Sequence, residues 1–290
     1  VRTLADVWVP ETTIAFLDRA VRERPDGIAL VCGEEQLSYR DYGAAVSAMA
    51  ASLGDVVGRH VALLLRNGID ICVATFAVQA AGATSVALNP DYTPNELAPM
   101  FADTRPVVTV THLDLVEKVE DLGVGRMMVV PMQPRVPLLN RVAPGNIDPL
   151  SPALVQFTGG TTGRPKGVVL THSAVATNVA QRESVLPTAF GDERVLCMMP
   201  LFHSFAVAMG LHLAAYAAGT LVILPRYRPD WVIDAICEHS ITRLPAGPTV
   251  FASLLNYDGL TREAVGSLRC AYSGSAPLPL DTLKRWEALT

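Results

Sequence analysis

The 290-residue chain is half hydrophobic and carries 23 Lys and Arg against 28 Asp and Glu, for a net charge of −5. That length accommodates one large or two ordinary domains around a sizeable core, and an acidic balance without a basic run argues against nucleic acid as a main partner. Five scattered cysteines at 32, 72, 197, 237 and 270, odd in number and lacking CxxC spacing, argue against a disulfide framework or a zinc site; they predict small core thiols of a reduced, cytoplasmic protein.

The opening stretch, residues 1–24, is mixed and charged and does not read as a secretory leader. Ile14, Leu17, Ala20 and Val21 fall at helical spacing and stop before Pro25. A hairpin follows, with strands at 28–32 and 36–38. Ser38 and Asp41 then form a capping pattern for a helix that presents Tyr42, Ala45, Val46, Met49 and Leu53 and ends at Gly54. From there the pattern alternates: strand 60–65, helix 70–81, strand 84–88, helix 94–102 capped by Thr93 and Glu96, strand 107–111, helix 113–121 and strand 126–130. Strands separated by helices require crossovers, hence a mainly parallel sheet covered on both faces. Prolines recur without period between 131 and 152, which predicts an extended connector.

Two β-forming runs, 153–157 and 168–171, then flank the segment Thr158-Gly159-Gly160-Thr161-Thr162-Gly163-Arg164-Pro165-Lys166-Gly167. Its glycines clear space while three threonine hydroxyls, several backbone N–H groups and one ammonium converge, an environment suited to a polyphosphate. It is not a Walker A loop: Pro165 precedes the lysine, Gly167 follows it, and a strand rather than a helix comes next. An ordinary Gly/Thr surface turn is the competing reading, and Pro-Lys-Gly behind a double Gly and a double Thr weighs against it.

A helix is predicted over 173–185, with His172 as its cap. From Val195 to Pro225 no charged residue occurs. Length alone would allow a membrane span there, but Pro200, His203, His212 and Gly219 divide the run into a loop, an apolar helix over 204–218 and a strand over 220–224. His212 packs within that helix. His203, after Pro200-Leu201-Phe202, stands at the mouth of an apolar region; taken alone, a histidine beside Phe202 and Phe205 is more often a structural residue satisfied by a backbone carbonyl than a functional one. Helix 230–238, a strand at 241–245, helix 248–256 and a strand at 268–272 complete the βα pattern. The small residues Ser273-Gly274-Ser275-Ala276-Pro277 that follow would make a strand-to-helix turn or let a flat ring approach the backbone.

The segment from Thr158 to Gly167 resembles the phosphate-binding signature of the adenylate-forming superfamily at every position, and Pro200-Leu201-Phe202-His203 and Ser273-Gly274-Ser275-Ala276-Pro277 resemble two further family segments in family order. The resemblance runs from about residue 12 to the end. It implies an α/β fold in which a lobe over 56–190 and a second lobe made of 12–55 plus 195–290, each a mainly parallel sheet flanked by helices, enclose a nucleotide. It also implies the chemistry of an AMP-forming acyl-CoA synthetase: a carboxylic acid, expected to be fatty because an uncharged helix follows His203, reacts with ATP and Mg2+ to acyl-AMP and pyrophosphate, and CoA then displaces AMP. On this resemblance Lys166, Thr161, Thr162 and His203 are the catalytic candidates; Thr158, Gly159, Gly160, Gly163 and Gly167 complete the phosphate site, and Gly274, Ser275, Ala276 and Pro277 form the adenine edge. No metal-ligand set is assigned. Arg164 holds a variable, solvent-facing position, and Ser275 departs from the second Gly of the common Gly-Gly-Ala-Pro. The family's Tyr-Gly-x-Thr-Glu segment, its barrel and its C-terminal catalytic domain are missing, so the chain reads as a truncated fragment, inactive by itself and able to pair with a second copy through the uncovered edge. A non-catalytic nucleotide-binding or acyl-binding fragment, or a ligase that loads a carrier protein, are the alternatives.

Overall fold

The computed structural model describes residue 3 and residues 6–130, 147–159 and 165–290. Most of the expected proline-rich connector, and the candidates Gly160, Thr161, Thr162 and Gly163 with Arg164, lie outside the described residues.

In chain order the elements are α1 (Ile14–Glu23), β1 (Ile28–Cys32), β2 (Glu35–Ser38), α2 (Tyr39–Leu53), β3 (His60–Leu64), α3 (Ile69–Ala80), β4 (Thr84–Ala87), α4 (Pro94–Thr104), β5 (Val108–Thr111), α5 (Val116–Val119), β6 (Arg126–Val129), β7 (Pro152–Thr158), β8 (Lys166–Thr171), α6 (His172–Val185), β9 (Arg194–Cys197), α7 (Ser204–Ala206), α8 (Leu213–Tyr216), β10 (Thr220–Ile223), α9 (Pro229–His239), β11 (Arg243–Ala246), α10 (Pro248–Leu254), β12 (Cys270–Ser273) and α11 (Leu280–Leu289). They build two six-stranded sheets. One has the order β12-β11-β9-β10-β1-β2, the other β6-β5-β3-β4-β7-β8. The pairs β1–β2 and β7–β8 are antiparallel, and the other ladders are parallel, as βα crossovers demand.

The two sheets share one layer of helices. The largest core cluster joins Leu30, Val195 and Leu221 of the first sheet to Val61, Leu63 and Val110 of the second through α1, α2, α3, α6 and the 206–218 segment. Helix α3 lies within this layer, which explains why IDICVATFAVQA has no solvated face; even Thr75 and Gln79 are buried. Separate clusters cover the outer faces, α9, α10 and α11 on the first sheet and α4 and α5 on the second.

The caps at Ser38 and Thr93 form, the latter a full capping box with Glu96. Four local readings need correction. The expected helix over 113–121 is a 3-10 turn (Leu113–Leu115) followed by one α turn, because Leu115 and Val119 alone reach the core. The cap of α6 is Thr171, whose hydroxyl accepts Ala174 N at 3.2 Å; His172 instead turns inward, its Nδ1 2.8 Å from the Thr13 hydroxyl. The apolar helix over 204–218 is interrupted by a π-helical turn, Val207–His212. The cysteines are free of disulfides, but Cys237 is exposed rather than core. Among the described residues no helix is long and apolar enough to cross a membrane.

Candidate functional site

The β-forming runs pair antiparallel in a register that sets Leu154 opposite Leu170, Gln156 opposite Val168 and Thr158 opposite Lys166. Directly opposed residues point to the same face, and alternate residues along a strand share it. Thr158 and Lys166 therefore stand side by side on the face that also carries Leu154 and Gln156. The Thr158 hydroxyl is 3.4 Å from the Lys166 carbonyl oxygen, to which it donates. A Cβ on Gly167 would come within 3.0 Å of Val155 Cγ1, so glycine lets the hairpin close. Both Thr158 and Lys166 are exposed, as is Gly159. The Lys166 ammonium is thus open to solvent and to an anionic partner.

The second component comes from the sheet across the shared helix layer. Beyond β9 the loop 198–202 is held from the other sheet: Asn67 Oδ1 accepts Leu201 N at 2.7 Å, and Asn67 Nδ2 donates to the carbonyls of Met199 at 3.0 Å and Leu224 at 3.3 Å. Nothing in the sequence pattern marks Asn67. His203 follows, exposed, with its Nδ1 accepting Phe205 N at 3.3 Å. An imidazole that accepts at Nδ1 carries its neutral-form proton on Nε2, so His203 presents an N–H donor outward.

Between these components lies a cavity of about 320 Å³, lined from the hairpin by Leu154, Gln156 and Leu170, and from the 204–212 segment by Ser204, Val207 and His212, with Asn178 on α6. The Thr158 and Lys166 pair lies two residues beyond Gln156 and Val168, about 7 Å along the strands. One hairpin face therefore runs from the cavity to Thr158 and Lys166.

Gly274 and Ser275 follow β12. Gly274 N donates to Ala246 O at 3.0 Å, and a Cβ at Gly274 would collide with the Phe205 ring, so this glycine is required by the residue two places after His203. Ser275 has φ 69°, the left-handed region, where the common glycine of this segment costs nothing. Ser275, Ala276 and Pro277 are exposed. The structure thus brings the Gly274 segment against the segment after His203, and one hairpin face joins Thr158 and Lys166 to the cavity.

Two α/β sheets that meet across such a cleft, with a Gly/Thr/Lys hairpin at its edge, are the frame of a nucleotide-using enzyme fold. A family model described as AMP-binding enzyme matches residues 17–290, and the chain belongs to that family. Among curated relatives it is 30% identical to 4-coumarate–CoA ligase 5 of Oryza sativa subsp. japonica, over 95% of this chain and 55% of the relative. It is 25% identical to a long-chain-fatty-acid–CoA ligase of Bacillus subtilis (strain 168), over 97% of this chain and 58% of the relative. Among solved structures, ATP-bound MatB from Rhodopseudomonas palustris superposes with a TM-score of 0.86 at 24% identity, over 97% of this chain and 58% of that one. The chain spans about half the length of the curated relatives it matches.

Proposed function

We propose that the polypeptide carrying this chain activates a carboxylic acid with ATP and passes the acyl group to the thiol of CoA. In the first step a carboxylate oxygen bonds to the α-phosphorus as the bond from that phosphorus to the bridging oxygen of pyrophosphate breaks, and pyrophosphate leaves. In the second the thiol attacks the acyl carbon, loses its proton, and AMP departs. The anionic nucleophile must approach several negative phosphate oxygens, so neutralising the departing pyrophosphate is the main electrostatic demand. Lys166, with the hydroxyl of Thr158 and the intervening Thr161 and Thr162, is assigned that role; the outward Nε2–H of His203 is assigned to a carboxylate oxygen. Gly274 to Pro277 are assigned to the adenine edge.

Magnesium would arrive with the polyphosphate. Phosphate oxygens and the Thr158 hydroxyl would be its hard oxygen donors, and among the described residues no group of three or more His, Cys, Asp or Glu could hold a metal. When bound, it supplies further neutralisation of the leaving group.

The observation that supports the reading is the shared hairpin face, which carries Thr158 and Lys166 about 7 Å along the strands from a cavity bordered by the residues after His203. The names of the relatives, both CoA ligases, favour CoA over a carrier protein as acceptor. A volume near 320 Å³ is at the small end of ligand pockets and suits a short or single-ring acid better than the long fatty chain expected from the uncharged run. Acid-dependent ATP–pyrophosphate exchange, measured on that polypeptide with acids of graded length and ring content, tests this. Exchange with short or single-ring acids, absent without acid, supports the reading; ATP binding with no acid able to drive exchange removes it.

A further inference from the structure

The cavity beside the hairpin has walls without charge. None of its lining residues is Asp, Glu, Lys or Arg, and its one histidine, His212, has both ring nitrogens sealed away from it. An acid whose tail fills this space brings its carboxylate to walls with no cation, so neutral donors must meet the anion. Three side chains of the lining carry such donors: Gln156, Asn178 and Ser204. Asn178 and Ser204 are exposed, and water meets them.

Gln156 differs. It is 8% exposed, and among the described residues its carboxamide makes no hydrogen bond. Gln79, also buried, accepts the Thr13 hydroxyl at 2.7 Å through its Oε1, and its Nε2 is sealed. Neither amide atom of Gln156 is sealed, so the free amide opens into the cavity that this residue lines. A dry, unmet carboxamide costs stability, and an apolar side chain there would avoid the cost while continuing the wall of Leu154, Leu170 and Val207. The hairpin register orders three pairs along one face, Leu154 with Leu170, Gln156 with Val168 and Thr158 with Lys166, each about 7 Å from the next. With the tail against the first pair and the departing phosphates at the third, the carboxylate and the attacked phosphorus lie over the second.

We infer that Gln156 orients the acid: its Nε2–H donates to the carboxylate oxygen that becomes the acyl carbonyl, leaving the other oxygen free to attack the α-phosphorus. This rests on the acid-activating reading and adds to it a substrate-contacting residue outside the Gly/Thr/Lys segment. The bond is made to the group that every acid shares, so Gln156 selects for a carboxylate and is indifferent to the tail.

The test is acid-dependent ATP–pyrophosphate exchange by the polypeptide carrying this chain, with butanoate, benzoate and 3-phenylpropanoate as probes. Gln156→Met keeps the length and removes the donor. It should raise the KM for acid roughly tenfold or more, by the same factor for each acid that wild type uses, with the KM for ATP within about twofold of wild type. Gln156→Glu should raise the acid KM further, because a carboxylate then faces a carboxylate. The urea midpoint of Gln156→Met should equal or exceed that of wild type, since an unmet amide has been removed from the wall. An unchanged acid KM in Gln156→Met, a penalty confined to one tail, or an ATP KM that rises in parallel overturns the inference and leaves acid activation standing. A lowered urea midpoint, which would show the amide bonded within the fold, overturns it as well. Absence of exchange in the wild-type polypeptide with any acid removes the acid-activating reading itself.

Discussion

Asn67 follows β3 of one sheet and Leu201 follows β9 of the other, and the 2.7 Å bond from the Leu201 N–H to Asn67 Oδ1 ties the two loops together. With the two bonds its amide donates to Met199 and Leu224, Asn67 pins the loop that delivers His203 to the cleft. Its truncation would leave the Leu201 N–H and the Met199 and Leu224 carbonyls unmet. Asn67→Ala should therefore lower stability by about 1–3 kcal/mol, read as a reduced urea midpoint at unchanged m. It should also broaden the backbone resonances of residues 199–203.

Adjacent positions after β12 are expected to respond in opposite senses. Ser275→Gly removes a side chain from φ 69° and should raise stability by about 0.5–1 kcal/mol, the left-handed penalty less the added chain entropy. Gly274→Ala should lower it by about 1–3 kcal/mol, because the new methyl must displace the Phe205 ring. Differential scanning calorimetry of the two single variants checks both signs.

Stability should fall as pH drops through the weakly acidic range. Burial holds His172 down at about 4 and His212 down at about 3, against an ordinary 6.5. The unfolded chain therefore takes up protons first, and the stability present above pH 6.5 is lost as pH falls toward the folded values. Each histidine should account for about 2 kcal/mol between pH 7.5 and 5. Glu193 acts lower: burial pushes its carboxyl up, but hydrogen bonds from Arg243, Thr242 and Ala189 N outweigh this and hold it below the usual range. Its contribution is present above about pH 4.3 and lost below. Urea denaturation from pH 7.5 to 4.5 should show the decline, and His172→Gln should flatten it by about half.

Much of this architecture is legible in the sequence because its determinants are local. The alternation between Val61 and Val129 reports a sheet covered on both faces, and Thr93 with Glu96 marks its helix start through bonds only three residues long. The features that escape sequence reading depend on distant partners. His172 meets Thr13 across 159 positions, and Asn67 meets Leu201 across 134. An apolar run also cannot reveal that Val207–His212 is wound as a π turn, since one extra residue per turn leaves a uniformly apolar pattern unchanged. Of the candidate site, the hairpin that presents Thr158 and Lys166 follows from its flanking β-formers. The exposure of the lysine does not, since it depends on what covers the hairpin tip.

In the proposed function Lys166 holds the β- and γ-phosphates of ATP. The direct measurement compares the affinities of ATP and AMP, both with magnesium, for the wild-type chain and for Lys166→Ala. If the claim holds, ATP binds more tightly than AMP to the wild-type chain, and Lys166→Ala erases most of that difference while AMP affinity changes little. ATP binding to Lys166→Ala with wild-type affinity would contradict it.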